Sequence, residues 1–334
     1  MKIIIVGCGK VGITIAKSLA DEGHDITVID KSKEIVDNVL SDIDCMAVVG
    51  NGAVQSVLTE AQVEKSDFLI ACTNSDEINI LTCLFARKLS KCKTIARIRN
   101  QEYLNMTDYI MKELDISLTI NPELATAREI SRILRYPKSI TSDSFFKGRL
   151  NSLLIDIPDN SPVIGMKLMD LNKNLNCSVL ICVIERGDEI IIPNGNSVIE
   201  SKDKILFVGD HNNVINFFKV IGYEYKMLNS FIIIGAGRIT HYLIQILTKN
   251  NSKCSIKVIE KDKESCEYLA SKFDNISVVK ADATDKNIIF KEGVSEADAL
   301  ITLTGIDEEN IIYNKKQLLC HNKKSNLTLE DNKL

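Results

Sequence analysis

The chain has 334 residues, too many for one ordinary core, so two or three domains are expected. Hydrophobic residues make up 45% and charged residues 26%, which lets each domain bury a normal core. The formal net charge of −4 argues against nucleic acid as the main partner, because phosphate recognition needs clustered Lys and Arg.

No apolar run approaches the roughly 18 residues of a membrane-spanning helix. The first residues lead straight into a strand-like segment, which predicts no signal peptide. The ten cysteines are scattered without a CxxC pair, and Cys72, Cys83 and Cys182 fall inside apolar stretches. That usage predicts reduced, packed thiols in a cytosolic protein.

Along residues 1–100, short apolar runs occur at 3–6, 26–29, 46–49, 68–71 and 94–98. Runs that are apolar at every position fit strands of a parallel sheet covered on both faces. Helical patterns lie between them, as at 11–20, where Ile15, Ala16 and Leu19 share a stripe. This alternation predicts an α/β fold with a Rossmann-like, doubly wound parallel sheet. Asn121-Pro122-Glu123 then predicts a helix start, a capping residue followed by Pro at the first helical position. The helix is expected to stop at Arg135, before Tyr136-Pro137. Residues 138–144 are polar and read as a linker.

Residues 149–220 change character. A strand is expected at 153–157 and a short helix at 162–171. Strands at 179–185 and 189–192 flank the hairpin signal Arg186-Gly187-Asp188, and another strand follows at 204–208. This is a small α+β module. At Phe231 the first pattern begins again. Phe231-Ile-Ile-Ile-Gly235-Ala236-Gly237-Arg238-Ile239-Thr240 repeats Lys2-Ile-Ile-Ile-Val6-Gly7-Cys8-Gly9-Lys10-Val11-Gly12. Ile256-Lys-Val-Ile-Glu260 repeats Ile26-Thr-Val-Ile-Asp30, and Ala281-Asp282-Ala283-Thr284 repeats Gly50-Asn51-Gly52-Ala53. Asp307-Glu308-Glu309-Asn310 repeats Asp76-Glu77-Ile78-Asn79. From about residue 313 the parallel stops in a polar tail rich in Lys and Asn, so the second sheet is expected to be incomplete, through truncation or a frameshift.

The glycine fingerprint sits where its chemistry requires, after a strand and at the start of a helix. Gly7 permits the tight turn, Gly9 lets the backbone approach a pyrophosphate, and Gly12 allows close packing of helix on strand. The helix N-terminus offers unpaired N–H groups to phosphate. Asp30 closes the second strand, where a carboxylate accepts ribose hydroxyls and disfavours a 2′-phosphate, so NAD is expected over NADP. Ligands of such sheets bind at the carboxyl ends of the strands, which adds Asn51, Gly52, Thr73 and Asn74. Arg97 and Arg99 are two apart on the fifth run and share a face, with Arg97 expected to point into an anionic crevice. The second copy keeps Gly235, Gly237 and Glu260, but Thr240 replaces the third glycine and adds a branched side chain.

These residues resemble the TrkA-type regulatory subunits of bacterial Trk potassium uptake systems. Five further stretches carry the resemblance: residues 115–125, Ile133-Leu-Arg-Tyr-Pro137, Ser161-Pro-Val-Ile-Gly165, Ile191-Ile-Pro-Asn-Gly195 and Thr304-Gly-Ile-Asp-Glu-Glu-Asn310. The resemblance implies RCK (regulator of potassium conductance) units, each a nucleotide-binding domain followed by a small C-terminal domain. It implies domains at 1–135, 145–222 and 229–312, the last incomplete, with a tail at 313–334. Carried over by position, the nucleotide residues are Gly7, Cys8, Gly9, Lys10, Val11, Asp30, Thr73, Asn74 and Arg97. In the second unit they are Gly235, Ala236, Gly237, Arg238, Ile239 and Glu260. The implied ligands are NAD(H) and, as further candidates, ATP and ADP. The implied setting is a cytoplasmic homo-oligomer, peripheral on the inner face of the plasma membrane, bound to a potassium-translocating subunit of the TrkH/TrkG kind.

A regulator of a potassium/proton antiporter is the alternative. An NAD-dependent dehydrogenase would need an acid–base residue facing the nicotinamide. None of His24, His211, His241 and His321 lies near a strand end of the first sheet, so no enzyme activity is expected.

Overall fold

The computed structural model describes residues 1–135, 141–145, 150–175, 178–223, 227–305 and 310. Two compact units divide the chain, Met1–Thr126 and Ala127–Leu334. The polar tail at 313–334 lies outside the described residues.

The first unit alternates strands and helices: β1 (Lys2–Val6), α1 (Lys10–Asp21), β2 (Asp25–Asp30), α2 (Lys33–Asp42), β3 (Met46–Val49), α3 (Gln55–Glu60), β4 (Phe68–Ala71), α4 (Asp76–Leu89) and β5 (Lys93–Arg97). Two short helices, α5 (Gln101–Leu104) and α6 (Thr107–Glu113), precede β6 (Leu118–Ile120), and α7 (Pro122–Arg135) follows. The strands form one parallel sheet in the order β3-β2-β1-β4-β5-β6. β1 lies inside it, which is why four of its five positions are buried and apolar. Ile4 and Val6 pack with Ile29, Leu69 and Ala96 on one face, while Ile3 and Ile5 pack with Val28, Ile70 and Ala16 on the other. Each such isoleucine is worth about 1.5–3 kcal/mol of burial. The sixth strand was not expected; at three residues it is too short to leave a periodic signal. The expected start of α7 is as read, with Asn121 Oδ1 accepting the N–H of Leu124 at 2.8 Å.

The α+β module is an antiparallel sheet in the order β10-β9-β11-β8-β7, built from β7 (Thr141–Phe145), β8 (Leu150–Asp156), β9 (Leu180–Arg186), β10 (Glu189–Ile191) and β11 (Lys204–Gly209). Its helices are α8 (Leu168–Leu175) and α9 (His211–Val220). Arg186 and Glu189 face each other across the two-residue turn Gly187-Asp188, with Gly187 at φ 60°. Phe207, Phe217 and Phe218 form the aromatic centre of the core. Two expectations are corrected here. The supposed linker at 138–144 contains a strand, because Thr141–Phe145 pairs along the whole of its length with β8. An edge strand pairs on one side only and needs no apolar alternation to form. The helix expected at 162–171 begins six residues later, at Leu168. Ser161-Pro162 starts one turn, and Gly165 at φ 82° ends it.

The second parallel sheet has the order β14-β13-β12-β15, from β12 (Ser230–Ile234), β13 (Ser255–Glu260), β14 (Ile276–Lys280) and β15 (Ala299–Thr302). It repeats the β3-β2-β1-β4 portion of the first sheet. Helices α10 (Arg238–Asn250), α11 (Lys263–Lys272) and α12 (Lys286–Lys291) follow the first three of these strands. Among the described residues no helix is long and apolar enough to cross a membrane.

Candidate functional site

Each parallel sheet carries a cleft at the carboxyl ends of its strands. The first has a volume of about 370 Å³ and the second about 390 Å³. The floor of each is the same hydrogen-bonded frame. Gly7 donates its N–H to the carbonyl of Ile29 at 2.7 Å, and Gly235 donates to Ile259 at 2.9 Å. The next N–H, of Cys8, reaches Asp30 Oδ2 at 2.7 Å, while that of Ala236 reaches Glu260 Oε2 at 2.8 Å. The other carboxylate oxygen accepts from Ser32 at 2.9 Å in the first cleft, and from Lys261 at 2.7 Å and Asp262 at 2.9 Å in the second. Each acid thus ties the end of its strand to the glycine loop of the neighbouring strand, and its oxygens keep lone pairs for a ligand.

The glycines fit close backbone approach. Gly7 stands at φ 95° and Gly235 at φ 101°, a region that favours glycine. A Cβ on Gly12 would come within 1.9 Å of the Gly7 carbonyl oxygen, so helix and turn touch there. Thr240 solves the same contact differently. Its hydroxyl is buried and donates to the Gly235 carbonyl at 2.6 Å, so the branched side chain is accommodated rather than disruptive.

A Cβ on Gly9 or Gly237 would meet no atom within 4 Å, so the backbone there faces open cleft. These two glycines cap α1 and α10 with no side-chain acceptor, and neither first turn holds an acid. By contrast α2, α4, α9 and α11 are capped by Ser32, Ser75, Asp210 and Asp262. α1 and α10 therefore begin at the clefts without a side-chain acceptor at the cap, and a helix N-terminus of that kind suits an anion. That arrangement fits the pyrophosphate and ribose of a dinucleotide.

The expected residues divide into two groups. Gly7, Gly9, Asp30, Asn51, Gly52, Thr73 and Asn74 line the first cleft. Gly235, Ala236, Gly237 and Glu260 line the second. Cys8 is buried below the turn and contributes its backbone, Gly12 is buried, and Lys10, Val11, Arg238 and Ile239 lie along the first turns of α1 and α10 outside the lining. Arg97 is corrected most sharply. It is buried and ion-paired with Glu123 of α7, and it does not line the cleft. Nor do Arg97 and Arg99 share a strand face, because β5 ends at Arg97. Arg99 lies 3.6 Å from Asp76 and donates to the Asn74 carbonyl. A buried carboxylate within reach outcompetes an open crevice for a guanidinium.

The sequence reading passed over Asn79. This fully buried side chain accepts from Thr73 N at 2.8 Å and Thr73 Oγ1 at 2.7 Å, and donates to the carbonyls of Thr73 at 3.3 Å and Arg97 at 2.9 Å. Asn310 repeats the first three contacts on Thr304, at 3.0, 2.8 and 3.3 Å. The signal was present in the matching of Asp76–Asn79 with Asp307–Asn310. The cleft thiol Cys72 is pushed up to about 11 by burial, against the opposing pull of Arg97. Burial and the nearby Asp30 carboxylate push Cys8 up to about 12. Both are neutral thiols at physiological pH, unsuited to act as nucleophiles. Among the described residues no cluster of His, Cys, Asp or Glu is arranged to hold a metal.

Fold and clefts define the class: two Rossmann-type units, each with a cleft at the carboxyl ends of its strands, and an α+β module between them in the chain. Comparison with known proteins narrows this. The TrkA-N domain family matches residues 3–122 and again 231–321, and the TrkA-C domain family matches 153–222. The chain is 30% identical over 319 residues to a Trk system potassium uptake protein trkA homolog of Methanosarcina mazei, covering 93% of this chain and 77% of that protein. It is 33% identical over 314 residues to the TrkA homolog of Archaeoglobus fulgidus, covering 93% and 70%. The chain belongs to the TrkA family of potassium uptake proteins. Its fold is similar to that of the GsuK channel bound to NAD, with a TM-score of 0.68 at 17% identity. That likeness covers 97% of this chain, which spans 57% of the channel's length.

Proposed function

We propose that the chain is a non-enzymatic regulatory subunit of a Trk-type potassium uptake system. It binds NAD(H) at the first cleft, and its second cleft is a further nucleotide site. ATP and ADP share the phosphate, ribose and base that these clefts suit, and are the further candidate ligands. Gly7 and Gly9 approach the phosphates, Asp30 takes the ribose hydroxyls, and Gly237 and Glu260 do the same in the second unit. The subunit is cytoplasmic, assembles as a homo-oligomer and docks on the inner face of a membrane potassium-translocating subunit of the TrkH/TrkG kind. Its domains are proposed at 1–135, 145–222 and 229–312, with the start of the second moved back to Thr141 to take in β7.

The observation that carries this reading is the repeated frame of uncapped helix N-terminus and carboxylate in a chain of the TrkA family. Gating requires that a nucleotide bind two arrangements of the assembly unequally, since a ligand shifts an equilibrium only by its differential affinity. Titration calorimetry of the full chain with NAD, NADH, ADP and ATP tests the binding, with saturable uptake of at least one expected. Heat signals no different from dilution for all four nucleotides refute it. Potassium uptake by vesicles holding the membrane subunit, with the chain added, tests gating; uptake unaltered by any bound nucleotide overturns that part.

A further inference from the structure

Asn51 and Asp282 occupy the same place in the two halves, yet they offer a ligand different hydrogen-bonding chemistry. Each follows the third strand of its sheet, β3 or β14. Both sheets run third, second, first, fourth. A nucleotide with its phosphates at the glycine turn of the first strand and its ribose at the carboxylate of the second lays its base over the end of the third. Both side chains line their clefts at that end, and Ile35 gives the first cleft an apolar wall for a flat ring.

Asn51 Oδ1 accepts the N–H of Ala53 at 3.2 Å. That bond orients the amide, leaving the Nδ2 donors and the second lone pair of Oδ1 for the cleft. Asp282 Oδ1 accepts the N–H of Thr284 at 2.8 Å. The N–H and hydroxyl of Thr284, with Lys261 nearby, hold the Asp282 carboxyl below the usual range. At neutral pH Asp282 is therefore an acceptor and nothing else.

We propose that, given nucleotide binding at both clefts, they read the C6 position of a purine differently. Asp282 selects a 6-amino purine and rejects a 6-oxo purine, whereas Asn51 admits either. An amino group at C6 donates to the carboxylate. A carbonyl there sets acceptor against acceptor, so the hydrogen bond made with the amino group is lost. The Asn51 amide meets an amino group with its oxygen and a carbonyl with its nitrogen. The two halves are thus receptors of different stringency despite one backbone frame.

The test compares ADP with inosine 5′-diphosphate, which carries the 6-oxo group, by calorimetry on the full chain. Gly9→Glu and Gly237→Glu each put a carboxylate into one phosphate site, at positions where a Cβ meets nothing within 4 Å. The Gly9→Glu chain reports the second cleft and is expected to bind ADP at least about tenfold more tightly than the inosine nucleotide. Adding Asp282→Asn is expected to bring that ratio below about threefold. The Gly237→Glu chain reports the first cleft, with a ratio below about threefold that Asn51→Asp raises to about tenfold. In the chain without blocking substitutions, Asp282→Asn alone is expected to tighten the weaker inosine-nucleotide site, a readout that does not depend on the blocked variants. Equal ratios at the two clefts, or ratios indifferent to the exchange, overturn the inference while leaving the proposed function standing. Binding of neither nucleotide at either cleft overturns the inference alone where NAD or NADH still binds, and overturns both where NAD, NADH and ATP fail as well.

Discussion

Asn79 uses every hydrogen-bonding group of its amide inside the first unit, two lone pairs on Thr73 and two N–H groups on the carbonyls of Thr73 and Arg97. It holds the loop after β4, and with it the cleft residue Thr73, to the end of β5. Truncation to Ala would leave buried backbone groups without partners, each at about 1–3 kcal/mol. Asn79→Ala is therefore expected to destabilise the first unit by about 3 kcal/mol in total and to weaken nucleotide binding there. Chemical denaturation and calorimetry check this; a variant as stable as the parent would show that the network contributes nothing. Glycines and Asp30 were legible in the sequence because their roles are local, set by φ and by a spacing of strand to turn. Arg97 was misread because its partner Glu123 sits on another element, brought beside it only by the fold.

Elements were legible in proportion to the length of their pattern. The first five strands and the first helix were read to within about two residues, since an all-apolar run in a covered parallel sheet permits little else. The strand Thr141–Phe145 and the three-residue β6 were not, because their stability comes from the neighbouring strand rather than from their own side chains. On α10, His241 packs against Tyr268 and Phe273 and beside the side chain of Gln245. Burial, aided by Lys272, lowers its pKa from the ordinary 6.5. The folded ring thus prefers to be neutral. As pH falls through 6.5 the unfolded chain takes up a proton that the folded one does not, so stability falls until the folded ring also protonates. Melting temperatures between pH 7.5 and 5.5 are expected to fall more steeply for the parent than for His241→Phe. Parallel slopes would remove His241 from the acid sensitivity.

For the whole molecule, ligand occupancy and stability are linked. A nucleotide that binds only the folded chain stabilises it by about 2.7 kcal/mol at a free concentration one hundred times its Kd. NAD or ADP at that level is expected to raise the melting temperature, and the combined Gly9→Glu and Gly237→Glu chain is expected to show no such shift. A shift that survives both substitutions would put the binding site elsewhere. The sequence by itself determined the α/β class, the duplication, the glycine turns and the two acids at the second strand, and it carried the family resemblance. All of these depend on short-range periodicity or on spacing along one strand–turn–helix unit. Only the tertiary structure decided that Arg97 is sequestered by Glu123, that Asn79 braces the cleft, that Thr240 answers a lost glycine with a hydrogen bond, and that 141–145 is a strand. Each of these rests on a contact between residues far apart in the chain, and such contacts exist only once the sheets have brought them together.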